Sequence, residues 1–240
     1  MCSGMENRMR NIAIIPARSG SKGYKDKNIA NVGGKPLMYY SIDAARESGC
    51  CDEVMVSTDS KEYAEVAEEC GANVPFLRSE ENSSDKAGSW DAVREVLNEY
   101  RKRGEEFDYV ILLQPTSPLR SAQDIKEAFE MIDENTHSVV SVTPVAHPVQ
   151  WCFTLDETKS MKEYALSPYC NMRRQDLEVH YQENGAIYIV DAKKIMDSNY
   201  NLYLDECKAY IMPNERSADI DTKTDAVICE QMMQIAGGER

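Results

Sequence analysis

Apolar residues fall in short, nearly continuous runs, separated by stretches with helical spacing. Residues 11–16 read Asn-Ile-Ala-Ile-Ile-Pro. A strand with one wet face would alternate, so this run predicts a strand covered on both faces. Pro36–Ser48 reads as a helix, opened by proline and stopped by Gly49. Glu53–Ser57 is a second β-rich run, and Lys61–Cys70 a helix that Gly71 stops. Asn73–Leu77 reads as a third, short strand interrupted by Pro75, and residues 79–88 as a polar loop. Trp90, Val93, Val96 and Leu97 give one apolar face to a helix over Gly88–Arg103. Tyr109–Leu113 is the next strand, Asp124–Asp133 a helix and His137–Val142 a strand. This alternation predicts an α/β fold, with a mostly parallel sheet and helices on both faces. Sites in such sheets lie beyond the carboxyl ends of the strands.

The rhythm breaks after Pro144. Residues 145–183 carry aromatics (Trp151, Phe153, Tyr164, Tyr169) and the basic pair Arg173-Arg174. They read as short strands and turns forming an arm inserted into a single domain of residues 1–240. That aromatic density suits an interface core and predicts a homodimer. Strands return at Gly185–Val190 and Ala209–Met212, and a helix over Lys223–Ile235 follows.

The 240 residues are 42% hydrophobic and 28% charged, which excludes a disordered or fibrous chain. Lys and Arg number 27 against 41 Asp and Glu, a net charge of −14. That balance opposes duplex nucleic acid or an anionic membrane as a general partner. No apolar run reaches the length of a membrane helix, and Met1–Arg10 has no apolar segment of a secretory signal. The eight cysteines form no CxxC pair. Reduced thiols in a cytoplasmic protein are therefore expected. The three histidines show no zinc spacing, and His137 and His147 have no carboxylate partner that suggests catalysis.

Against the acidic background stands the loop Ala17–Asn28, where Arg18, Lys22, Lys25 and Lys27 face one acid, Asp26. Its two glycines and two serines let the backbone turn and present N–H groups to an anion. It is neither GxxxxGK[ST] nor GxGxxG. By residue type alone it is either a phosphate cradle or a solvated basic loop. Asp219 and Asp221, two apart, share a face of an extended segment. Such a pair suits a hard cation completed by phosphate oxygens, or a solvated turn. Two prolines stiffen Gln114-Pro115-Thr116-Ser117-Pro118 and hold Gln114 at a strand end. Asp59, which ends a strand in Ser-Thr-Asp, is either a site residue or the N-cap of a helix over residues 60–70. Arg173-Arg174 suits a carboxylate or an exposed face. Trp90, Tyr39 and Tyr40 read as core or interface.

Residues 12–28, Val56-Ser57-Thr58-Asp59, Leu113–Arg120, Asn184–Tyr188 and Asp219-Ile220-Asp221 come in this order and spacing. Together they resemble the acylneuraminate cytidylyltransferases over residues 11 to about 230. The resemblance implies a Rossmann-like nucleotidyltransferase fold with a protruding dimerisation arm. It implies attack by the anomeric hydroxyl of a nine-carbon 2-keto acid sugar on the α-phosphate of CTP, with release of pyrophosphate. It implies Arg18, Lys27 and Gln114 as catalytic residues, and Asp219 and Asp221 as ligands of Mg²⁺ or Mn²⁺. Ser21, Asn28, Arg78, Ser84, Asp85, Gln182 and Asn184 are the implied substrate contacts, with Arg173 and Arg174 for the sugar. Sialic-acid-specific members place cations where this chain has Gln150 and Gln182. The acceptor expected is therefore a related nonulosonate such as legionaminate, with Arg173 or Arg174 on its carboxylate. The alternatives are a nucleotidyltransferase for a sugar 1-phosphate, with GTP for instance, and a non-catalytic nucleotide-binding protein.

Overall fold

The computed structural model describes residues 8–20, 23–84, 87–204 and 206–238. Ser21, Lys22 and Asp85 lie outside the described residues. The described residues form the strands β1 (Asn11–Pro16), β2 (Asn31–Val32), β3 (Lys35–Pro36), β4 (Glu53–Ser57), β5 (Tyr109–Leu112), β6 (Ser138–Pro144), β7 (Tyr181–Asp191) and β8 (Cys207–Ile211). The helices are α1 (Leu37–Ser48), α2 (Lys61–Glu69), α3 (Glu80–Ser83), α4 (Ser89–Lys102), α5 (Ala122–Phe129), α6 (Lys162–Ala165) and α7 (Lys223–Gly238).

Six strands form one sheet in the order β4-β1-β5-β7-β6-β8. β1 is parallel to β4 and β5, and β6 is parallel to β8. β7 alone in this sheet runs antiparallel to both neighbours. The cause is its connection: the chain leaves β6, makes the excursion 145–180, and returns beside it. The unbroken apolar run of β1 is explained by its two covered faces. Ala13 and Ile15 pack with Met38, Ile42 and Ile125 of α1 and α5. Ile12 and Ile14 pack with Val93, Val96 and Leu97 of α4. The expected α/β architecture, with helices on both faces of a mostly parallel sheet, is what the chain adopts.

Three expectations are corrected. Asn73–Leu77 is not a strand: Asn73 makes one parallel bridge to Met55, and Pro75 lacks the N–H to extend it. The arm holds no strand between residues 145 and 180. Its backbone satisfies itself in local turns at Val149–Trp151 and Arg174–Asp176 and in α6. Residues 181–183, read as part of the arm, belong to β7. The β2–β3 hairpin was not anticipated, although Gly33-Gly34 marks its two-residue turn, with φ of 60° and 90°.

Candidate active site

A cleft of about 480 Å³ opens beyond the carboxyl ends of β1 and β5. The loop after β1 contributes Arg18, Lys27 and Asn28, and the turn after β5 contributes Gln114, Pro115 and Thr116. Arg78, the start of α4 at Gly88 and Ser89, and Asp221 with Thr222 before α7 complete the wall.

The basic loop is pinned from below. Asp59, just past β4, accepts hydrogen bonds from Ser19 N (2.7 Å) and Ser19 Oγ (2.8 Å). Burial would raise its carboxyl, but the Ser19 bonds outweigh it and hold the group below the usual range. Asp59 is therefore not the N-cap of α2. Ser60 takes that place, accepting from Tyr63 N. Asp26 adopts a left-handed φ of 54° and accepts from Tyr63 Oη at 3.0 Å. The 3₁₀ turn Lys27–Ile29 follows, and the cleft receives Lys27. Asn28 is buried, and its amide donates to Arg18 O at 3.3 Å. Asn28 thus supports the backbone that carries Arg18.

The cleft gathers charge of both signs. Arg18 Nη1 donates to Ser83 O at 3.3 Å. Arg78 is buried and donates to Ser57 Oγ (3.0 Å) and Ser57 O (2.6 Å). Desolvation lowers its guanidinium to about 10, so it stays charged near neutral pH. Lys27 Nζ donates to Ile220 O (3.1 Å) and to Asp221 Oδ1 (2.8 Å). It therefore ties the basic loop to the Asp219-Ile220-Asp221 segment, which Ile220 N fastens to Thr116 O at 2.8 Å.

Ile220 is fully buried, while Asp219 and Asp221 are exposed on the other side of the segment, as their spacing implies. The Asp219 carboxyl is raised, chiefly by desolvation; a Thr116 hydrogen bond opposes this, and the charges of Asp221 and Asp225 add to it. Lys27 is the cation that offsets this acidity. An excess of carboxylate in one place fits a divalent cation. Among the described residues no set of three His, Cys, Asp or Glu side chains is arranged to hold a metal. Asp219 and Asp221 would therefore need ligand oxygens to complete a coordination shell, as Mg²⁺ sites commonly do.

Other expected contacts fall elsewhere. Asn184 is buried, and its amide is consumed within the protein. Nδ2 donates to Ser217 Oγ (2.9 Å), and Oδ1 accepts from Ser141 Oγ (2.6 Å) and Ala186 N (3.2 Å). Asn184 lies at the register irregularity between β6 and β7, off the cleft wall. Ser84 donates to Glu81 O and lines a neighbouring acidic groove. Gln182 sits opposite Thr143 on β7, exposed and away from the cleft wall. Arg173 and Arg174 also lie off that wall, and Arg173 is paired with Asp176 at 2.8 Å. The helix beginning at Gly88 is read from the sequence, but its place in the cleft wall is not. The Asp91 carboxylate accepts from Gly88 N at 3.0 Å, and the helix dipole favours negative charge at this end. The Gly-Ser pair opening a 14-residue helix was its sequence signal.

Residues 12–234 match the family described as cytidylyltransferase. The chain is 39% identical over 234 residues to CMP-N,N'-diacetyllegionaminic acid synthase of Legionella pneumophila, covering 95% of this chain and 97% of that one. It is 41% identical over 226 residues to an N-acylneuraminate cytidylyltransferase of Streptococcus agalactiae, covering 91% of this chain and about half (52%) of that longer protein. It is 34% identical over 218 residues to a pseudaminic acid cytidylyltransferase of Campylobacter jejuni, covering 90% and 93%. In fold it is similar to a CMP:2-keto-3-deoxy-manno-octonic acid synthetase complexed with CTP. That likeness has a TM-score of 0.70 at 17% identity and covers 95% and 99% of the two chains. The chain belongs to the cytidylyltransferase family, as the five sequence motifs imply.

Proposed function

We propose that the protein transfers CMP from CTP to the anomeric hydroxyl of a nonulosonate, releasing pyrophosphate. The observation that carries this reading is the convergence of Arg18, Lys27, Gln114 and Asp221 on one cleft at the carboxyl ends of β1 and β5. In the reaction the sugar oxygen bonds to the α-phosphorus and the bond to pyrophosphate breaks. The hydroxyl proton leaves to solvent. Negative charge moves onto the leaving group, so fixed cations aimed there stabilise the transition state more than the ground state. Arg18 supplies a planar fork for phosphate oxygens and Lys27 a compact charge. The α4 N-terminus faces the same space. Asp219 and Asp221 would hold Mg²⁺ or Mn²⁺, which supplies further charge neutralisation when bound. Lys27, now paired with Asp221, would be free to face phosphate oxygens once Asp221 served as a cation ligand.

The linkage in the product tests this reading. ³¹P NMR should show pyrophosphate and a single phosphodiester joining CMP to the sugar. A nucleotide diphosphate-sugar would instead establish a sugar 1-phosphate acceptor. The Arg173–Asp176 pair, outside the cleft wall, weakens the case for that alternative.

The acceptor follows from likeness: the Legionella relative matches over nearly its whole length, while Gln150 and Gln182 lie off the cleft wall. The kcat/KM for a legionaminate-type sugar should exceed that for N-acetylneuraminate by about tenfold or more, the scale on which an acceptor pocket separates close relatives. Equal or reversed values would contradict this.

A cytoplasmic homodimer built through the arm completes the proposal. Leu155, Leu166 and Val179 are exposed there, and Phe153 stacks on Tyr164. The described cysteines are free thiols, which suits a reducing compartment. Sedimentation equilibrium should give twice the chain mass. Leu166→Glu should shift the protein towards monomer without unfolding it.

A further inference from the structure

Among the described residues, no carboxylate pairs with the buried cation Arg120. It is 3% exposed. Its nearest acid by sequence, Asp124, is engaged instead by Arg216 at 2.7 Å and 2.9 Å. Desolvation lowers the Arg120 guanidinium to about 10. A charge kept in such a place at that cost is explained by its donors. Nη1 donates to Ala186 O (2.9 Å) and Gln114 O (3.3 Å), and Nη2 donates to Ser41 Oγ. Ser41 Oγ in turn donates to Gln114 O at 3.1 Å.

The two carbonyls belong to strands that part company here. β5 and β7 pair antiparallel as far as Leu112 opposite Tyr188. Two residues further on, the same register would set Gln114 opposite Ala186, but β5 has ended. Ala186 N is already committed to Asn184 Oδ1 at 3.2 Å. One guanidinium nitrogen therefore bridges the gap where ladder bonds stop. The side chain of Gln114 lies against Gly185 in that gap: a Cβ on Gly185 would meet Gln114 Oε1 at 3.2 Å. Gly185 also has φ of 72°, so a larger residue would be strained as well as crowded.

We infer that Arg120 is a positioning residue, whose guanidinium clamps the Gln114 and Ala186 carbonyls at the open end of the β5–β7 ladder and so aims the Gln114 amide into the cleft. The inference rests on the proposed reading that the cleft Gln114 lines is where CMP is transferred, and it assigns the Gln114 amide to the acceptor. Arg120 itself lies behind the wall and touches no substrate.

A double-mutant cycle tests it. Arg120→Lys keeps the charge but loses the planar fork, and should lower kcat/KM for the nonulosonate by about tenfold while leaving KM for CTP within about twofold. On a Gln114→Ala background the same change should have no further effect, because residues acting through one another are not additive. Additive losses, an equal rise in KM for CTP, or wild-type kinetics in Arg120→Lys would overturn the inference. If Arg120→Lys fails to fold, Ser41→Ala, which removes another donor to Gln114 O, takes its place under the same criteria. The Gln114 side-chain amide signal in ¹⁵N NMR needs no turnover and should shift in the Arg120→Lys protein. If the wild type releases no pyrophosphate, the functional reading fails by itself. An unmoved Gln114 signal would then overturn the clamp.

Discussion

Lys27→Met should lower turnover of CTP by about a hundredfold or more while the protein stays folded. Lys27 bridges the basic loop and Asp221, and its side chain is only 16% exposed. Removing it does two things at once. It takes away a cation that lines the cleft proposed to hold the triphosphate, and it leaves Asp221 uncompensated beside the acidic pair Asp219 and Asp225. Losing one preorganised charge contact costs about 3 kcal/mol, which is roughly a hundredfold in rate. Lys25 offers the comparison on the same loop. Its side chain is 89% exposed, and its contact with Asp26 is 4.0 Å. Lys25→Met should stay within about twofold of wild type, since isolated surface charges contribute little. Steady-state kinetics on both variants, with circular dichroism as a folding check, decide the matter. Equal effects at the two positions would show that loop charge in bulk, rather than Lys27 in place, is what counts.

The second large effect is expected at the carboxylate pair. Asp221→Asn should reduce activity by about a hundredfold or more at low Mg²⁺, with part of the loss recovered at high Mg²⁺, because a weakened site still binds by mass action. Asp219→Asn should behave likewise. EDTA should abolish turnover in the wild type, and Mg²⁺ or Mn²⁺ should restore it, since hard oxygen ligands suit both ions. Asp221 is held by Lys27 at 2.8 Å, so on the proposed reading cation and nucleotide would bind interdependently. Titration calorimetry should therefore show weak Mg²⁺ binding alone and tighter binding with CTP present. Full activity of Asp221→Asn in EDTA would remove the cation from the account.

Much of the fold was legible because burial leaves a local signature. The run Ile12–Ile15 announced a strand covered on both faces, and Glu53–Ser57 was bounded correctly by composition alone. The direction of β7 was not legible, since periodicity carries no sign, and only the return from the arm sets it. Asn73–Leu77 has strand composition, yet Pro75 ends its pairing after one bridge. The site divides the same way. Charge density marked the loop bearing Arg18 and Lys27, and spacing marked Asp219 and Asp221. Partners distant in the chain were invisible. Asn184 looked like a polar contact at a strand end, but Ser141 and Ser217 take up its amide. Asp59 looked like a helix cap, but it holds Ser19, 40 residues away. A short polar side chain has many places to point, and sequence does not show which is occupied.

Initial rates of pyrophosphate release test the central claim most directly, measured with CTP, GTP and UTP against a panel of nonulosonates and sugar 1-phosphates in Mg²⁺. The expected result is release that requires CTP and a nonulosonate together, with GTP and UTP at least about tenfold poorer, the discrimination that one well-made set of base contacts supplies. Release with a sugar 1-phosphate in place of the nonulosonate, or with GTP or UTP as readily as with CTP, would contradict the account.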